Sequence, residues 1–211
     1  MPNASDDFTL YGNHNSGHAY KVKLMLAVSG VQHVYQAVDL DQPRNERPEP
    51  FRHLAKFGEV PLLVHNEQPY VQSDAILIHL AEHTGKFGAE SASRMARVRE
   101  WLFWEANRLG MCLPNLRYAR RFAPDECPPG AIDWLQNRFD LDIARLDKEL
   151  ADGRGFILDD NPSIADFSLC GYLFWADEAQ VTVPKNVEAW LQRISRLPGW
   201  QAPYTLMRKP D

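Results

Sequence analysis

The sequence lacks most of the features that would place it outside the ordinary globular class. Only three cysteines occur among 211 residues: Cys112, Cys127 and Cys170, scattered and with no C-x-x-C pair. That argues against a disulfide scaffold or a structural zinc site and for free thiols in a reducing cytoplasm. No apolar run spans a bilayer; the longest, Leu169 to Ala176, falls far short of the roughly 20 residues required. Basic charge is not in excess. The 23 Lys and Arg stand against 28 Asp and Glu, and a net charge of −5 repels polyanions and disfavours a nucleic-acid role. The N-terminal MPNASDDFTLYG has neither the charged nor the apolar region of a signal peptide. Internal repeats and low-complexity tracts are missing as well.

What is present is a chain 45% hydrophobic and 24% charged, and longer than one typical domain. Two packed units are the expectation. The first eighty residues alternate strand-like and helix-like segments. Phe8 to Tyr11 reads as a strand broken at Gly12-Asn13. From Ser16 a helix follows, with Val22, Met25, Leu26 and Ser29 at helical spacing and Gly30 closing it. His33 to Leu40 reads as a second strand, and Asp41 to Pro50, with three prolines, as a loop before a short helix over Phe51 to Lys56. Val60 to His65 and Tyr70 to Gln72 read as a hairpin around Asn66-Glu67-Gln68-Pro69, and Ser73 opens a helix that stops at Gly85. The order β-α-β, then β-β-α, demands one parallel and one antiparallel pair in a mixed four-stranded sheet.

Beyond Gly85 no strand signal returns. Ser91 to about Phe122 forms one helical stretch with a bend expected near Pro114, and Pro124 to Gly130 breaks it. Leu135, Phe139, Ile143, Leu146 and Leu150 make a core stripe. Ser163 to Ala176 and Val187 to Leu197 complete the helices. The reading is an α/β domain over 1–85 and an all-α domain over 91–211.

Three local features carry chemistry. Val60-Pro61 opens a strand with a proline, which deletes a ladder donor; a cis bond there leaves the Val60 N–H and C=O free to pair with a short extended peptide. Gln72 and Ser73 offer an amide, a hydroxyl and a helix N-terminus suited to a carboxylate. Ser16 lies at another helix start across the same face. Together they describe a groove for a small anionic peptide centred near Ser16. Ser163 to Asp166 is an S-x-x-D capping box with a structural role. His79-Leu80-Ala81-Glu82-His83 matches a zinc-peptidase pattern without a third ligand, so no metal is expected.

The motifs S-G-H-x-x-K-V, F-G-E-V-P, Q-S-D-A-I, S-I-A-D-F and W-L-Q-R-I-S-R-L-P-G-W, in that order along the whole chain, resemble the cytosolic glutathione transferases of the bacterial group related to the theta, delta and phi types. The resemblance implies a thioredoxin-like N-terminal domain, a helical C-terminal domain and a cytoplasmic homodimer. It implies glutathione as co-substrate with no other cofactor, and a small hydrophobic electrophile as its partner in detoxification. Ser16 then faces the sulfur as the catalytic residue, Val60 pairs with the cysteinyl unit, and Gln72 and Ser73 hold the γ-glutamyl end. Arg47 aligns best as the grip on the glycyl carboxylate, with Arg44, Arg52 and Lys56 as rivals. Asn13, His14 and Tyr118 are placed at the electrophile pocket, Arg117 beside them. Asn13, Asn15 and His18 compete with Ser16 for the sulfur. Ala55-Lys56 stands where most relatives have Asn-Pro; with the histidine-rich first loop it motivates, as an alternative, a non-catalytic binder or interaction module of the same fold, and a third reading is a glutathione-dependent peroxidase or reductase using the same thiolate.

The task asked of Ser16 can be sized. Lowering a thiol from pKa ~8.5 by about two units requires roughly 2.7 kcal/mol of differential stabilisation. A hydroxyl donating to a charged group supplies about 1.5–3 kcal/mol, and a helix N-terminus adds about 0.3–1 kcal/mol.

Overall fold

The structure, a computed structural model, describes residues 7–208. The first half of the N-terminal MPNASDDFTLYG, residues 1–6, lies outside the described residues, as do residues 209–211 at the end of the second expected domain. The chain divides into two compact units, Met1–Thr84 with Pro198–Asp211, and Gly85–Leu197.

The first unit contains β1 (Phe8–Gly12), α1 (Gly17–Ser29), β2 (Val34–Ala37), α2 (Glu49–Leu54), β3 (Leu62–His65), β4 (Gln68–Val71) and α3 (Ser73–Thr84). The strands lie in the order β2-β1-β3-β4, with β1 parallel to β2 and antiparallel to β3. The parallel β1–β2 pair and the antiparallel β3–β4 pair are those the element order requires, and the antiparallel β1–β3 contact joins them into the thioredoxin-like mixed sheet. Leu10, Leu62 and Leu63 of the two central strands are wholly buried. The expected second strand is trimmed to four residues.

The hairpin is tighter than the expected four-residue turn. Asn66 and Glu67 take φ of 48° and 68°, and His65 pairs with Gln68, the geometry of a two-residue primed turn that matches the strand twist. Gln68 and Pro69 are therefore strand residues. Pro69 is tolerated because β4 is an edge strand, where a missing donor faces outward.

The second unit is helical: α4 (Ala92–Asn107), α5 (Leu109–Arg117), α6 (Pro129–Glu149), α7 (Ile164–Leu173) and α8 (Lys185–Ile194). The bend expected at Pro114 occurs at Arg108 instead, with φ −121° and ψ −94°. Gly110 explains the place: its Cα packs so closely on Glu105 that a Cβ would meet the Glu105 carboxylate at 2.8 Å. Pro114 stays inside α5. Residues Tyr118–Phe122 then widen into a π turn, the Ala123 N–H reaching the Tyr118 carbonyl.

At the heart of this unit Asp166 is 0% exposed and accepts four hydrogen bonds: from the N–H of Ile157 and of Ser163, the Ser163 hydroxyl, and the Trp190 indole. The S-I-A-D-F and W-L-Q-R-I segments, 24 residues apart in the chain, meet at this carboxylate. The capping reading of Ser163 holds, and the box also orients α8.

The final segment departs from the expected domain boundary. It belongs with the first unit, where α9 (Pro203–Leu206) packs on α1. Gly199, at φ 85°, lets the chain lie against the Ala27 carbonyl, which a Cβ would meet at 2.5 Å. The Tyr20 hydroxyl donates to the Gln201 carbonyl at 3.0 Å.

Asp166→Ala leaves four buried donors without an acceptor, so urea unfolding of the variant is expected to show a loss of about 3–5 kcal/mol. A change below about 1 kcal/mol would mean the network is not a core element.

Candidate functional site

The register of the sheet decides which segments share an edge. Tyr11 lies opposite Leu62, and Leu62 opposite Val71. The C-terminal end of β1, the entry to β3 and the exit of β4 are therefore side by side. Three segments that the sequence scatters, Asn13–Ser16, Val60-Pro61 and Gln72-Ser73, are thus gathered at one end of the sheet. The parallel pairing of β1 and β2 adds Ala37 and Val38 to the same end.

Ser16 caps α1. Its backbone is extended and its Oγ accepts the Ala19 N–H at 3.1 Å, while the side chain is 8% exposed. The hydroxyl proton itself goes to no group among the described residues. Capping and donation are therefore compatible: the helix fixes the oxygen and leaves its hydrogen to point outward.

The Val60–Pro61 bond is cis. Neither the N–H nor the C=O of Val60 has a hydrogen-bond partner among the described residues. Gln72 adopts a left-handed φ of 69°, its carbonyl accepting the Ile76 N–H and its amide reaching Glu59 at 3.4 Å. Ser73, first residue of α3, is 9% exposed, and its hydroxyl has no partner among the described residues. Donors without acceptors at a helix start are an anion-binding arrangement.

The two helix starts are tied together. Lys21, 1% exposed, sends its Nζ to the Asp74 carboxylate at 2.8 Å. His18 lies beside this pair. Burial, reinforced by the Lys21 ammonium and opposed by Asp74, pushes its pKa down to about 3, so the imidazole is neutral.

Other expected residues have different roles. Arg47 donates to the carbonyls of Gln42, Gly58 and Leu40, at 3.2, 2.9 and 2.9 Å. Three of its five N–H groups thus stitch the loop that carries Phe57-Gly58-Glu59, a poor disposition for gripping a mobile carboxylate. Arg44 lies against the Cα of Gly58 and its guanidinium has no partner among the described residues. Arg52 is engaged with Glu49, and Lys56 sits over the Phe57 ring. Asn13 is likewise occupied: its amide donates to the Val38 carbonyl and its oxygen accepts the Asn15 N–H. These two bonds shape the first loop. Tyr118 belongs to the second unit and is 53% exposed; Arg117 is buried there, ion-paired with Glu178 at 2.7 Å and stacked on Trp175. That arginine is a structural element, not a solvated one.

Two family models cover the chain, "Glutathione S-transferase, N-terminal domain" over residues 6–82 and "Glutathione S-transferase, C-terminal domain" over 112–200. The chain belongs to the glutathione S-transferase family. Relatives within reach carry different names. The disulfide-bond oxidoreductase YfcG of Escherichia coli K12 is 26% identical over 195 residues, 86% of this chain and 87% of that protein. The maleylacetoacetate isomerase of Pseudomonas aeruginosa PAO1 is 26% identical, covering 95% of this chain and 93% of that one. A solved glutathione S-transferase from Pseudomonas fluorescens Pf-5 is 27% identical with a TM-score of 0.81, covering 93% of this chain and 98% of that one.

Sequence reading missed Lys21, Asp74 and the strap 203–208. The first two stood inside the quoted K-V and Q-S-D-A-I motifs; a lysine within the apolar run of a buried helix is the signal that a carboxylate partner exists. The strap offers no such signal.

In this transferase-family unit, histidines held neutral make folding pH-dependent. Burial lowers His18, His33 and His79, with the neighbouring His65 and His83 adding to the effect on His79. The unfolded chain takes up protons below pH ~6.5 that the folded chain refuses, so stability falls as pH drops below that value and continues to fall toward pH 3 for His18. His18 alone contributes a slope of about 1.4 kcal/mol per pH unit below pH ~6.5, offset at lower pH by the carboxyls of Asp142 and Asp166, which burial raises; read from urea midpoints, a flat profile between about pH 6.5 and pH 5 would contradict it.

Proposed function

We propose that the protein binds glutathione along this edge of the sheet and holds its sulfur as a thiolate for attack on an electrophilic carbon. The observation that carries the reading is the Ser16 hydroxyl, whose oxygen is fixed by the Ala19 N–H and whose proton is uncommitted. The cysteinyl unit pairs with the Val60 backbone as an added strand. The γ-glutamyl carboxylate meets the start of α3 at Ser73, and Glu59 with Gln72 receives its ammonium. Arg44, rather than Arg47, is the cation for the glycyl carboxylate.

In the reaction, the glutathione thiol gives its proton to solvent, the Ser16 O–H donates to the resulting thiolate, and the sulfur forms the new bond to carbon as the leaving group departs with the electron pair. Ser16 stabilises the anion and removes no proton itself. His18, whose pKa desolvation and the Lys21 ammonium push down to about 3, is too weak a base to take the thiol proton. The family membership supports glutathione-dependent transfer in general; similarity to an oxidoreductase and to an isomerase leaves two other fates for the same thiolate, attack on a disulfide and reversible addition to a double bond.

Ser16→Ala and Ser16→Gly separate capping from catalysis. Glycine keeps most of the cap energy and alanine loses about 1 kcal/mol of stability, but both remove the hydroxyl. Both are expected to lower kcat for conjugation of glutathione to a generic aryl halide by about 10–100-fold, with retention on immobilised glutathione kept. Conjugation undiminished in both variants would refute the role; disulfide reduction outrunning conjugation in the parent protein would move the reaction to the oxidoreductase class.

A further inference from the structure

The first unit contains an open recess of about 280 Å³ at the first loop, which leads to Ser16. One wall is Asn13 and His14 of the first loop, another is Val38 after β2, and the third is the C-terminal strap through Tyr204, Met207 and Arg208. The volume lies at the small end of ligand pockets and suits a compound of about one ring. Gly12 is what admits the strap: a Cβ there would meet the Met207 methyl at 3.3 Å, the Ala19 methyl at 3.1 Å and the Tyr35 ring at 3.0 Å.

The strap is fastened along its length. Gly199 rests on Ala27, the Tyr20 hydroxyl holds the Gln201 carbonyl, and the Tyr204 hydroxyl reaches Asn15 Oδ1 at 3.5 Å. Arg208 is thereby delivered to the mouth of the recess by the fold. Its guanidinium forms no hydrogen bond or ion pair among the described residues, and neither does the His14 ring. Asn13 is occupied by Val38 and Asn15. Among the described residues the recess has no Asp or Glu in its wall; Asp39, next to Val38 in sequence, is exposed and its carboxylate accepts the Asp41 N–H. Among the described residues, then, the charged side chain at the cavity is Arg208, over apolar walls of Val38 and Met207.

We infer that Arg208 is a specificity-determining residue and that the second substrate is a small ring compound bearing a carboxylate. The apolar walls take the ring and the guanidinium takes the anion, a pairing for which a planar fork is suited. This rests on the proposed transferase reading for the reaction, but not for the binding, so the two are tested separately.

Rates of glutathione conjugation are compared for a chloronitrobenzoate and the chloronitrobenzamide of the same substitution. Arg208→Gln is expected to lower the ratio of kcat/KM, acid over amide, by about tenfold, Arg208→Lys to restore part of it, and Arg208→Glu to lower it further. In parallel, calorimetry on the full chain measures binding of para-nitrobenzoate and para-nitrobenzamide, with the benzoate binding more tightly and losing about tenfold in Arg208→Gln. If the parent protein conjugates neither halide yet binds the benzoate in an Arg208-dependent way, the recess assignment stands and the transferase reading falls. If the acid-to-amide ratio and the benzoate affinity are both indifferent to Arg208, the assignment is overturned.

Discussion

Lys21 and Asp74 form a buried ion pair that fixes where two helices begin relative to one another. The ammonium comes from the second turn of α1 and the carboxylate from the first turn of α3, so their 2.8 Å contact joins the two ends that carry Ser16 and Ser73. A pair of this kind adds little net stability over apolar residues of the same shape, because both charges lose water. Its geometry is nevertheless demanding. An apolar contact tolerates sliding of one helix on the other; a charge pair with one partner 1% exposed does not.

The chemistry of the site follows from that fixed arrangement. Helix starts present N–H groups with no internal acceptor, and at this end of the sheet the register brings two such starts beside a stretch of backbone, Val60, that pairs with nothing among the described residues. An extended anionic peptide is the complement of that surface. Desolvation and the Lys21 ammonium keep His18 neutral, so it adds no positive charge beside the Lys21–Asp74 pair; in the proposed reading a hydroxyl hydrogen bond, not a cation, marks the sulfur. The family match over both halves of the chain agrees with this in kind.

Much of this was legible before any coordinates. Gly30 and Gly85 closed their helices where expected, with left-handed φ of 71° and 66°, because such ends depend on local backbone chemistry. The motifs put Ser16, Val60, Gln72 and Ser73 on one face, and the strand register does gather their segments at one end of the sheet. The failures are tertiary. The break at Arg108 instead of Pro114 reflects packing of Gly110 on Glu105, which no local signal announces. Arg47 aligns best with the family's carboxylate grip, and alignment does not reveal that three of its N–H groups go to backbone carbonyls. Arg208 was invisible for the opposite reason. Nothing in a terminal stretch of mixed residues says that it returns 170 residues later to the end of β2, and only the close approach at Gly12 and Gly199 makes room for it.

The central claim is that a serine proton, freed by the way its oxygen caps a helix, holds sulfur as an anion. Titration of the ultraviolet absorbance of the thiolate, with glutathione bound to the full chain, tests it without any second substrate. The account predicts that bound glutathione ionises about two units below the ~8.5 of a free thiol, and that replacing Ser16 by glycine returns most of that shift. A bound thiol that ionises at the same pH in both proteins would contradict it.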